Sequence, residues 1–305
     1  MKNVLVVSNF RAGRKQAIKY KKRIQKFLLK KQVRFRFVDV EGLQNVDVID
    51  FDTILTVGGD GTVNKVLPYI IHTDKVLGII PCGTANLLAE SLGINSFSKA
   101  IRVLAEENYT KVDIITINNK LSILRFGVGY DSDIICKTPQ TLKNKFGYFA
   151  YFLAGILFAL RLKKKEYFLK IDNNFEQKVI ASNIIVANVG NMYKRMFSVA
   201  KYFSLSDGLF DVFILKTANP ILFFVEFLKI LFGIKKNGRN VEYLKAKKMQ
   251  IRNSYCVAHL DGEKNKFTEN LDFNIIREGI KIYSKEYVCS ERKEIITEDM
   301  QRIMV

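Results

Sequence analysis

Two short loops contain the glycines and small polar residues that could bind a phosphorylated ligand. The first loop, GGDGT over residues 58–62, directly follows the apolar run TILTV, and the second, PCGTAN over residues 81–86, follows VLGII. Glycine lets a backbone approach a polyanion without interference from a Cβ atom, and loop N–H groups at the start of a helix bind phosphate. The first loop therefore predicts a phosphate site, whereas the second alone fits a proline-glycine turn equally well.

Asp60 is the acidic residue of the first loop. A carboxylate at this point would repel phosphate unless a cation or a proton lies between the two groups. Asp60 is therefore a candidate for holding Mg²⁺, directly or through water, or for acting as a general base. A tight turn with a solvated aspartate is the simpler interpretation, but the place between an apolar strand and a helix favours ligand binding.

The elements around these loops predict the fold. Strands at NVLVVSN, VRFRFVDV, TILTVGG and VLGIIPCG alternate with helical patterns at residues 15–31, 86–92 and 98–107. This alternation is typical of a doubly wound parallel α/β sheet, in which ligands bind beyond the carboxyl ends of the strands. After about residue 112, a hairpin pattern around Asn118-Asn119 and further strand patterns indicate a mainly antiparallel, β-sandwich-like second domain with helical insertions. A C-terminal helix over residues 291–305 would return to the first domain.

Composition limits the classes of function. The chain has 305 residues with 49 Lys or Arg, 30 Asp or Glu and a net charge of +19, which indicates an anionic partner. Its four Cys lack a CxxC spacing, its two His lack a metal-site pattern, and no GxSxG is present. A zinc cluster and a Ser-His-Asp hydrolase are therefore disfavoured.

The distribution of charge and apolar residues indicates where the protein acts. Residues 1–38 contain 13 Lys or Arg and no acidic residue, which favours an anionic membrane surface, although a solvated basic face explains it too. Nucleic acid is the less favoured partner because Trp is absent and no nucleic-acid-binding signature is present. The apolar segments 146–162 and 220–234 are shorter than the ~20 residues of a membrane span and are expected to be core or membrane-surface helices. Without a signal-peptide pattern, we expect a cytoplasmic protein bound peripherally to the inner membrane face.

The two loops at this separation resemble those of the diacylglycerol kinase catalytic-domain family, which includes bacterial lipid kinases and the sphingosine and ceramide kinases. GGDGT alone is shared with NAD kinases and phosphofructokinases, and PCGTAN favours the lipid kinases. The resemblance spans roughly residues 4–285. Its other matching segments are SNFRAG over residues 8–13, FGVGYD over 126–131, ANVG over 187–190, SDGLFDV over 206–212 and LDGE over 260–263.

The resemblance implies a nucleotide-binding domain over residues 1–115 and 290–305 and a lipid-binding domain over residues 116–289. It implies an ATP- and Mg²⁺-dependent lipid kinase in which Asp60 helps to hold Mg²⁺-ATP and either Asp261 or Glu263 deprotonates the lipid hydroxyl. A structural divalent cation would lie at Ser204, Asp207 and Leu209. The implied ATP contacts are Asn9, Gly13, Gly58, Gly59, Gly61, Thr62, Gly83, Thr84 and Asn86.

Two departures from the family pattern keep other functions open. Phe10 stands where proline is usual, and Leu87 stands where the family often has Asp, so sphingoid or other lipids remain acceptors beside diacylglycerol. A soluble kinase of the NAD-kinase type is the first alternative, and a catalytically silent lipid-binding module on the same fold is the second. Asp60, Asp261 and Glu263 argue against the silent module. The sequence leaves open whether the chain forms a homodimer.

Overall fold

The computed structural model describes residues 1–9, 14–130, 162–172, 174–188, 205–231, 237–252, 256–267 and 270–285. Two compact units make up the chain: Met1–Val112 with the chain from Gly279 onward, and Asp113–Glu278. The helix predicted over residues 291–305, residues 146–161 of the first apolar segment, Gly13 and Ser204 lie outside the described residues.

The first unit is a parallel sheet with helices. Its strands are β1 (Asn3–Ser8), β2 (Arg34–Asp39), β3 (Thr53–Gly58) and β4 (Val76–Pro81), and its helices are α1 (Arg14–Lys30), a 3-10 helix (Val40–Asn45), α2 (Asp60–Ile70), α3 (Leu87–Ser91) and α4 (Phe97–Glu106). The strand order is β2-β1-β3-β4, with the end of a long strand β16 (Leu271–Tyr283) beside β4. Every pair in this order is parallel, so the predicted α/β arrangement is confirmed.

The sequence of this unit explains its layers. All six residues of β3 are buried, as a strand covered on both faces requires. Helix α4 begins at Ser96, whose hydroxyl accepts the Lys99 amide at 3.3 Å as an N-cap. Its buried residues recur at the spacing of one helical face. Strands β3 and β4 therefore end at the same edge, and the two glycine loops follow them there.

The second unit is antiparallel. Its strands are β5 (Tyr109–Ile117, which begins in the first unit), β6 (Lys120–Ser122), β7 (Arg125–Gly129), β8 (Lys165–Ile171), β9 (Gln177–Ala181), β10 (Asn183–Ala187), β11 (Phe210–Leu215), β12 (Val241–Ala246), β13 (Lys248–Arg252), β14 (Cys256–Leu260), β15 (Glu263–Phe267) and the first part of β16. One sheet has the order β12-β11-β10-β7-β14-β15, and the other includes β16-β13-β8-β9. The predicted hairpin at Asn118 is present as β5–β6.

Side chains from both sheets form one apolar core, as the predicted sandwich requires. Phe126 of β7 lies 5.0 Å from Phe273 of β16, centroid to centroid, in an edge-to-face arrangement. The run over residues 178–190 reads as one strand in the sequence, but its described part forms two strands, because the chain passes from one sheet to the other at Ser182.

The next helix among the described residues, α5 (Pro220–Leu231), packs on the outer face of the six-stranded sheet. Alternate residues of β10 divide between two apolar clusters: Ile184 and Val186 belong to the sandwich core, whereas Ile185 and Ala187 pack in the cluster that contains Phe223 of α5. Within the described part of the chain, no helix has the length and apolar character that crossing a membrane requires.

Candidate active site

The two glycine loops predicted to bind phosphate are in contact with each other. A Cβ atom on Gly83 would lie 2.5 Å from the Cα of Gly59, and one on Gly59 would lie 3.1 Å from the Cα of Gly83. A Cβ on Gly58 would collide with the Thr62 side chain. These glycines are therefore required for packing the two loops together, in addition to any close approach of a ligand.

Asp60 joins the two loops through its carboxylate. Its Oδ2 accepts the amide of Leu87 at 3.0 Å, and its Oδ1 accepts the amide of Leu88 at 3.1 Å. Asp60 thus lies in the first turn of α2 while its side chain caps the first amides of α3. A carboxylate has about four acceptor positions, so these two bonds use about half of the capacity of a half-buried group.

Asn86 organises the second loop. Its Oδ1 accepts the Gly83 amide at 2.9 Å, and its Nδ2 donates to the Gly83 carbonyl at 2.8 Å. The residue has a φ of +53°, the left-handed region that asparagine tolerates better than most residues. The Asn86 side chain, predicted to contact ATP, therefore makes its hydrogen bonds within the second loop. Thr84, between Gly83 and Asn86, is exposed.

The start of α2 fits a polyanion. Its N-cap, Gly59, supplies no side-chain hydrogen bond, and the Thr62 amide already donates to the Gly59 carbonyl at 2.9 Å. The amides of Asp60 and Gly61 stand at the positive end of the helix, where a phosphate would be stabilised. Thr62 is buried.

Two buried polar atoms near these loops have no hydrogen-bond partner among the described residues. They are the Ser8 hydroxyl at the carboxyl end of β1 and the side-chain oxygen of Asn64 on α2. Such atoms are rare in folded proteins, and polar groups of a bound ligand would satisfy them. Asn9, which follows Ser8, donates its amide to the Val57 carbonyl at 3.3 Å and so lies at the same edge as the glycine loops. This edge of the first unit fits a phosphorylated nucleotide.

The same edge fits a cation that is bound mainly through water. No group of three or more His, Cys, Asp or Glu residues with metal-site geometry occurs in the described ranges. Mg²⁺ commonly takes only one or two protein carboxylates and keeps several waters. Asp60 is the carboxylate at this edge that such an ion would use.

Asp261 lies in the second unit, in the two-residue turn between β14 and β15. Asp261 and Gly262 have φ values of +50° and +87°, as a type I′ hairpin turn requires. The Asp261 carboxylate is buried and accepts four hydrogen bonds from the β6–β7 connection. The donors are the Ser122 hydroxyl (2.7 Å) and the amides of Ile123 (3.0 Å), Leu124 (3.0 Å) and Arg125 (2.7 Å).

These contacts limit what Asp261 can do chemically. Burial raises the pKa of the Asp261 carboxyl, and the bonds from Ser122 and the three amides oppose that shift. Its Oδ1 accepts three of the four bonds and its Oδ2 accepts one, and the whole carboxylate is buried. Glu263, two residues later, is exposed, and its carboxylate has no partner within the described residues. Of the two residues predicted as the base, only Glu263 presents an open carboxylate.

Asp207 and Leu209, predicted to hold a structural cation, lie in a turn before β11. The Leu209 amide donates to Asp207 Oδ1 at 3.1 Å, and the Lys245 ammonium contacts Oδ2 at 2.6 Å. The adjacent Gly208 amide donates to Asp113 at 2.7 Å. The Lys245 ammonium pairs with Asp207 in this structure, and the assignment of a structural divalent cation to this turn stays a prediction.

Sequence reasoning missed Ser8, Asn64 and Ser122. The Asp-Gly pair at residues 261–262 is a local signal for the hairpin turn, but no local signal connects Ser122 to Asp261, which is 139 residues away. The structure brings Asp60, Thr62, Gly83 and Asn86 together at one edge of the first unit. The hairpin turn of Asp261 and Glu263 belongs to the second unit.

Comparisons with known protein families give two matches. Residues 3–117 match the diacylglycerol kinase catalytic domain, and residues 125–270 match the YegS C-terminal, NAD kinase beta sandwich-like domain. A diacylglycerol kinase of Bacillus subtilis is 32% identical over 221 residues, which cover 70% of this chain and 72% of that protein.

Solved structures share the fold. A diacylglycerol kinase of Bacillus anthracis superposes with a TM-score of 0.67 at 17% identity, covering 94% of this chain and 98% of the other. An NAD kinase of Archaeoglobus fulgidus, crystallised with ATP, superposes with a TM-score of 0.53 at 14% identity, covering 96% and 97%. These likenesses support the predicted fold class, an α/β domain followed by a sandwich-like antiparallel domain.

Proposed function

Because the chain belongs to the diacylglycerol kinase catalytic-domain family, we propose that it is a lipid kinase that transfers the γ-phosphate of ATP to a lipid hydroxyl, with Mg²⁺. The observation that carries this proposal is the junction of the two glycine loops, in which Gly59 and Gly83 are in contact and the Asp60 carboxylate joins α2 to α3. Phosphoryl transfer depends mainly on positioning and charge neutralisation, and this junction offers both.

The first unit would bind the nucleotide. The amides of Asp60 and Gly61 at the start of α2 would stabilise phosphate charge, and the unpartnered atoms of Ser8 and Asn64 would gain partners from the nucleotide. When bound, Mg²⁺ would neutralise the phosphate oxygens. Asp60 would hold it, while the bonds to the amides of Leu87 and Leu88 keep its carboxylate in one orientation.

The second unit would supply the base. We assign that role to Glu263, whose exposed carboxylate can accept a proton from the lipid hydroxyl. Asp261 would act as a positioning residue, because its four bonds to residues 122–125 fix the turn on which Glu263 stands. The family relatives named diacylglycerol kinase make diacylglycerol the first acceptor to test.

Surface charge would bring the enzyme to its lipid. Exposed Lys and Arg residues lie along one side of α1 and on β2, and the sequence has no acidic residue before Asp39. They are Lys19, Lys22, Lys26, Lys30, Arg34 and Arg36. Each basic residue near an anionic bilayer contributes about 1 kcal/mol of attraction. We therefore propose action at the anionic, cytoplasmic face of a membrane.

Transfer of labelled phosphate from ATP tests the function. The acceptors are diacylglycerol, monoacylglycerol, sphingosine, ceramide and phosphatidylglycerol in anionic mixed micelles, with NAD as the soluble acceptor. We expect label on one lipid, a loss of at least about 100-fold in Glu263→Gln, and wild-type rates in Glu166→Gln, which removes an exposed partner of Lys178.

Two outcomes contradict the proposal. Label on NAD alone would assign the chain to soluble kinases of the type represented by its Archaeoglobus neighbour. A Glu263→Gln variant that retains full lipid phosphorylation would remove Glu263 from the mechanism, and Asp261→Asn would then be tested as the base.

A further inference from the structure

Helix α5 has two different apolar faces. Phe223 and Ile230 are 3% and 6% exposed, and Phe223 packs edge-to-face on Tyr130 at 4.7 Å between ring centroids. On the opposite side, Ile221 is 74% exposed and Val225 is 40% exposed. A helix that is apolar all round is normally covered on every side, but α5 keeps exposed apolar side chains on the side away from the sheet.

Exposed apolar side chains are concentrated on this helix. Four of them fall within five consecutive positions: Ile221, Leu222, Phe224 and Val225. We call these four residues the outer face of α5. The other large exposed apolar residues in the described chain are separated in sequence: Ile18, Leu29, Ile49, Tyr109, Phe175 and Ile180. Single exposed apolar residues are ordinary, whereas a contiguous group marks an interaction site.

The sequence that flanks α5 is mainly positive. The sequence from Lys216 to Arg252 has nine Lys or Arg and two acidic residues. Both acids are paired, Glu226 with Lys229 at 3.1 Å and Glu242 with Lys216 at 2.6 Å, and Glu226 is itself buried. An apolar face within a cationic segment complements a surface whose outer layer is negatively charged and whose interior is apolar, as in an anionic lipid bilayer.

We propose that the outer face of α5 inserts into the head-group layer of an anionic lipid bilayer. This proposal rests on the proposed lipid kinase function and names the element that would contact the membrane. Twelve residues make a helix of about 18 Å, too short to span the ~30 Å hydrocarbon layer. With its inner face held by the sheet, α5 lies in the interface plane, as amphipathic membrane-surface helices do.

Single-tryptophan variants test insertion directly, because the chain contains no Trp. Ile221→Trp places the reporter on the outer face, and Ile49→Trp places it on an equally exposed isoleucine of the other unit. Both side chains are 74% exposed. The Asn219 side chain caps α5 by accepting the backbone amides of residues 221 and 222, so a substitution of the Ile221 side chain leaves the cap in place. The vesicles contain phosphatidylglycerol and phosphatidylcholine, with a matched set carrying brominated acyl chains.

We expect vesicles to shift the emission of the Ile221→Trp variant to shorter wavelength and brominated lipid to quench it, with neither effect in Ile49→Trp. A blue-shifted emission of Ile221→Trp before vesicles are added, unchanged by lipid, would show that another part of the chain or a second copy covers the face, and would overturn the proposal. Equal quenching of the two variants would overturn it as well, because binding would then not be specific to α5.

Loss of binding gives a second measurement. Ile221→Gln is expected to weaken sedimentation with the same vesicles by about fivefold, from the apolar area withheld from the bilayer, whereas Ile49→Gln binds as the wild type does. Wild-type binding by Ile221→Gln would contradict insertion. Neither assay contains ATP, so the two proposals can fail separately. If α5 inserts but no lipid is phosphorylated, only the kinase function is refuted. If lipid is phosphorylated without insertion of α5, only this inference is refuted.

Discussion

Asp60 and Asp261 use their carboxylates in related ways in the two units. Each lies beside glycine in a turn and holds backbone amides of another segment. Asp60 accepts two amides at 3.0 and 3.1 Å and is half-buried, while Asp261 accepts four donors between 2.7 and 3.0 Å and is buried. The second carboxylate is therefore committed to the fold more fully than the first.

This difference separates a group that is open to a ligand from a group that holds the fold. Two carboxylates with similar sequence contexts are distinguished only by how many donors the tertiary structure brings to them. A carboxylate saturated by protein donors is poorly placed to take a proton from a substrate, whereas one with open positions can bind a hydrated cation. The comparison therefore predicts different consequences when the two residues are changed.

The largest effect is expected from Asp261→Asn. The Asn side chain would turn its NH₂ group toward donors of residues 122–125, so at least one hydrogen bond is lost and a buried donor is left unpaired. We expect the free energy of unfolding to fall by about 3 kcal/mol. Urea unfolding followed by circular dichroism measures this loss. Ser122→Ala removes one donor only and should cost about 1 kcal/mol. Equal stability of Asp261→Asn and wild type would refute the structural role of Asp261.

Gly83→Ala should have the next largest effect, because its Cβ would lie 2.5 Å from the Cα of Gly59, a backbone atom that cannot turn away. We expect a loss of about 2 kcal/mol together with weaker ATP binding. Thermal unfolding and calorimetric titration with ATP measure the two losses. Gly42→Ala is the control, since its Cβ would meet only Val38 at 3.6 Å. If both variants behave alike, the contact of the two loops is not required.

Asp60→Asn should cost less stability than Asp261→Asn, about 1 kcal/mol, because only one of two half-buried bonds is weakened. Its main effect should be on the Mg²⁺ concentration needed for ATP binding, since the charge that would hold the cation is gone. Calorimetric titrations of ATP at several Mg²⁺ concentrations measure this shift. A larger loss of stability than in Asp261→Asn, with unchanged Mg²⁺ dependence, would reverse the comparison.

The smallest effect concerns Cys82, in the second glycine loop. Burial raises the pKa of its thiol to about 11, so the reactive thiolate is scarce near neutral pH. We expect the native protein to leave Cys82 unmodified by iodoacetamide at pH 7.5, with labelling that rises with pH and on unfolding. Mass spectrometry of the peptide, with Cys82→Ala as the assignment control, measures the label. Rapid labelling of the native protein would mean that the loop junction opens.

Much of the first unit could be predicted from the sequence. Strand and helix patterns alternate clearly, and the bounds of β3, α2 and β4 follow from apolar runs that end at glycine or proline. The second unit was harder, because the run over residues 178–190 changes sheet at Ser182 and the hairpin β14–β15 contains lysines and a buried His259. Strand β10 is also apolar on both faces, because its alternate residues pack in two different clusters, one on each face of the sheet.

The sequence by itself determined the alternation of strands and helices in the first unit and the positions of the glycine loops, because φ/ψ preference and apolar periodicity act over a few residues. It also determined the excess of positive charge, which follows from composition alone. Only the tertiary structure decided that Asp60 caps a helix 27 residues away and that Asp261 is saturated by donors from 136 to 139 residues away. Hydrogen-bond saturation and burial depend on which distant groups the packed chain brings together. Those contacts, more than residue type, separate the half-buried carboxylate of Asp60 from the buried, structural carboxylate of Asp261.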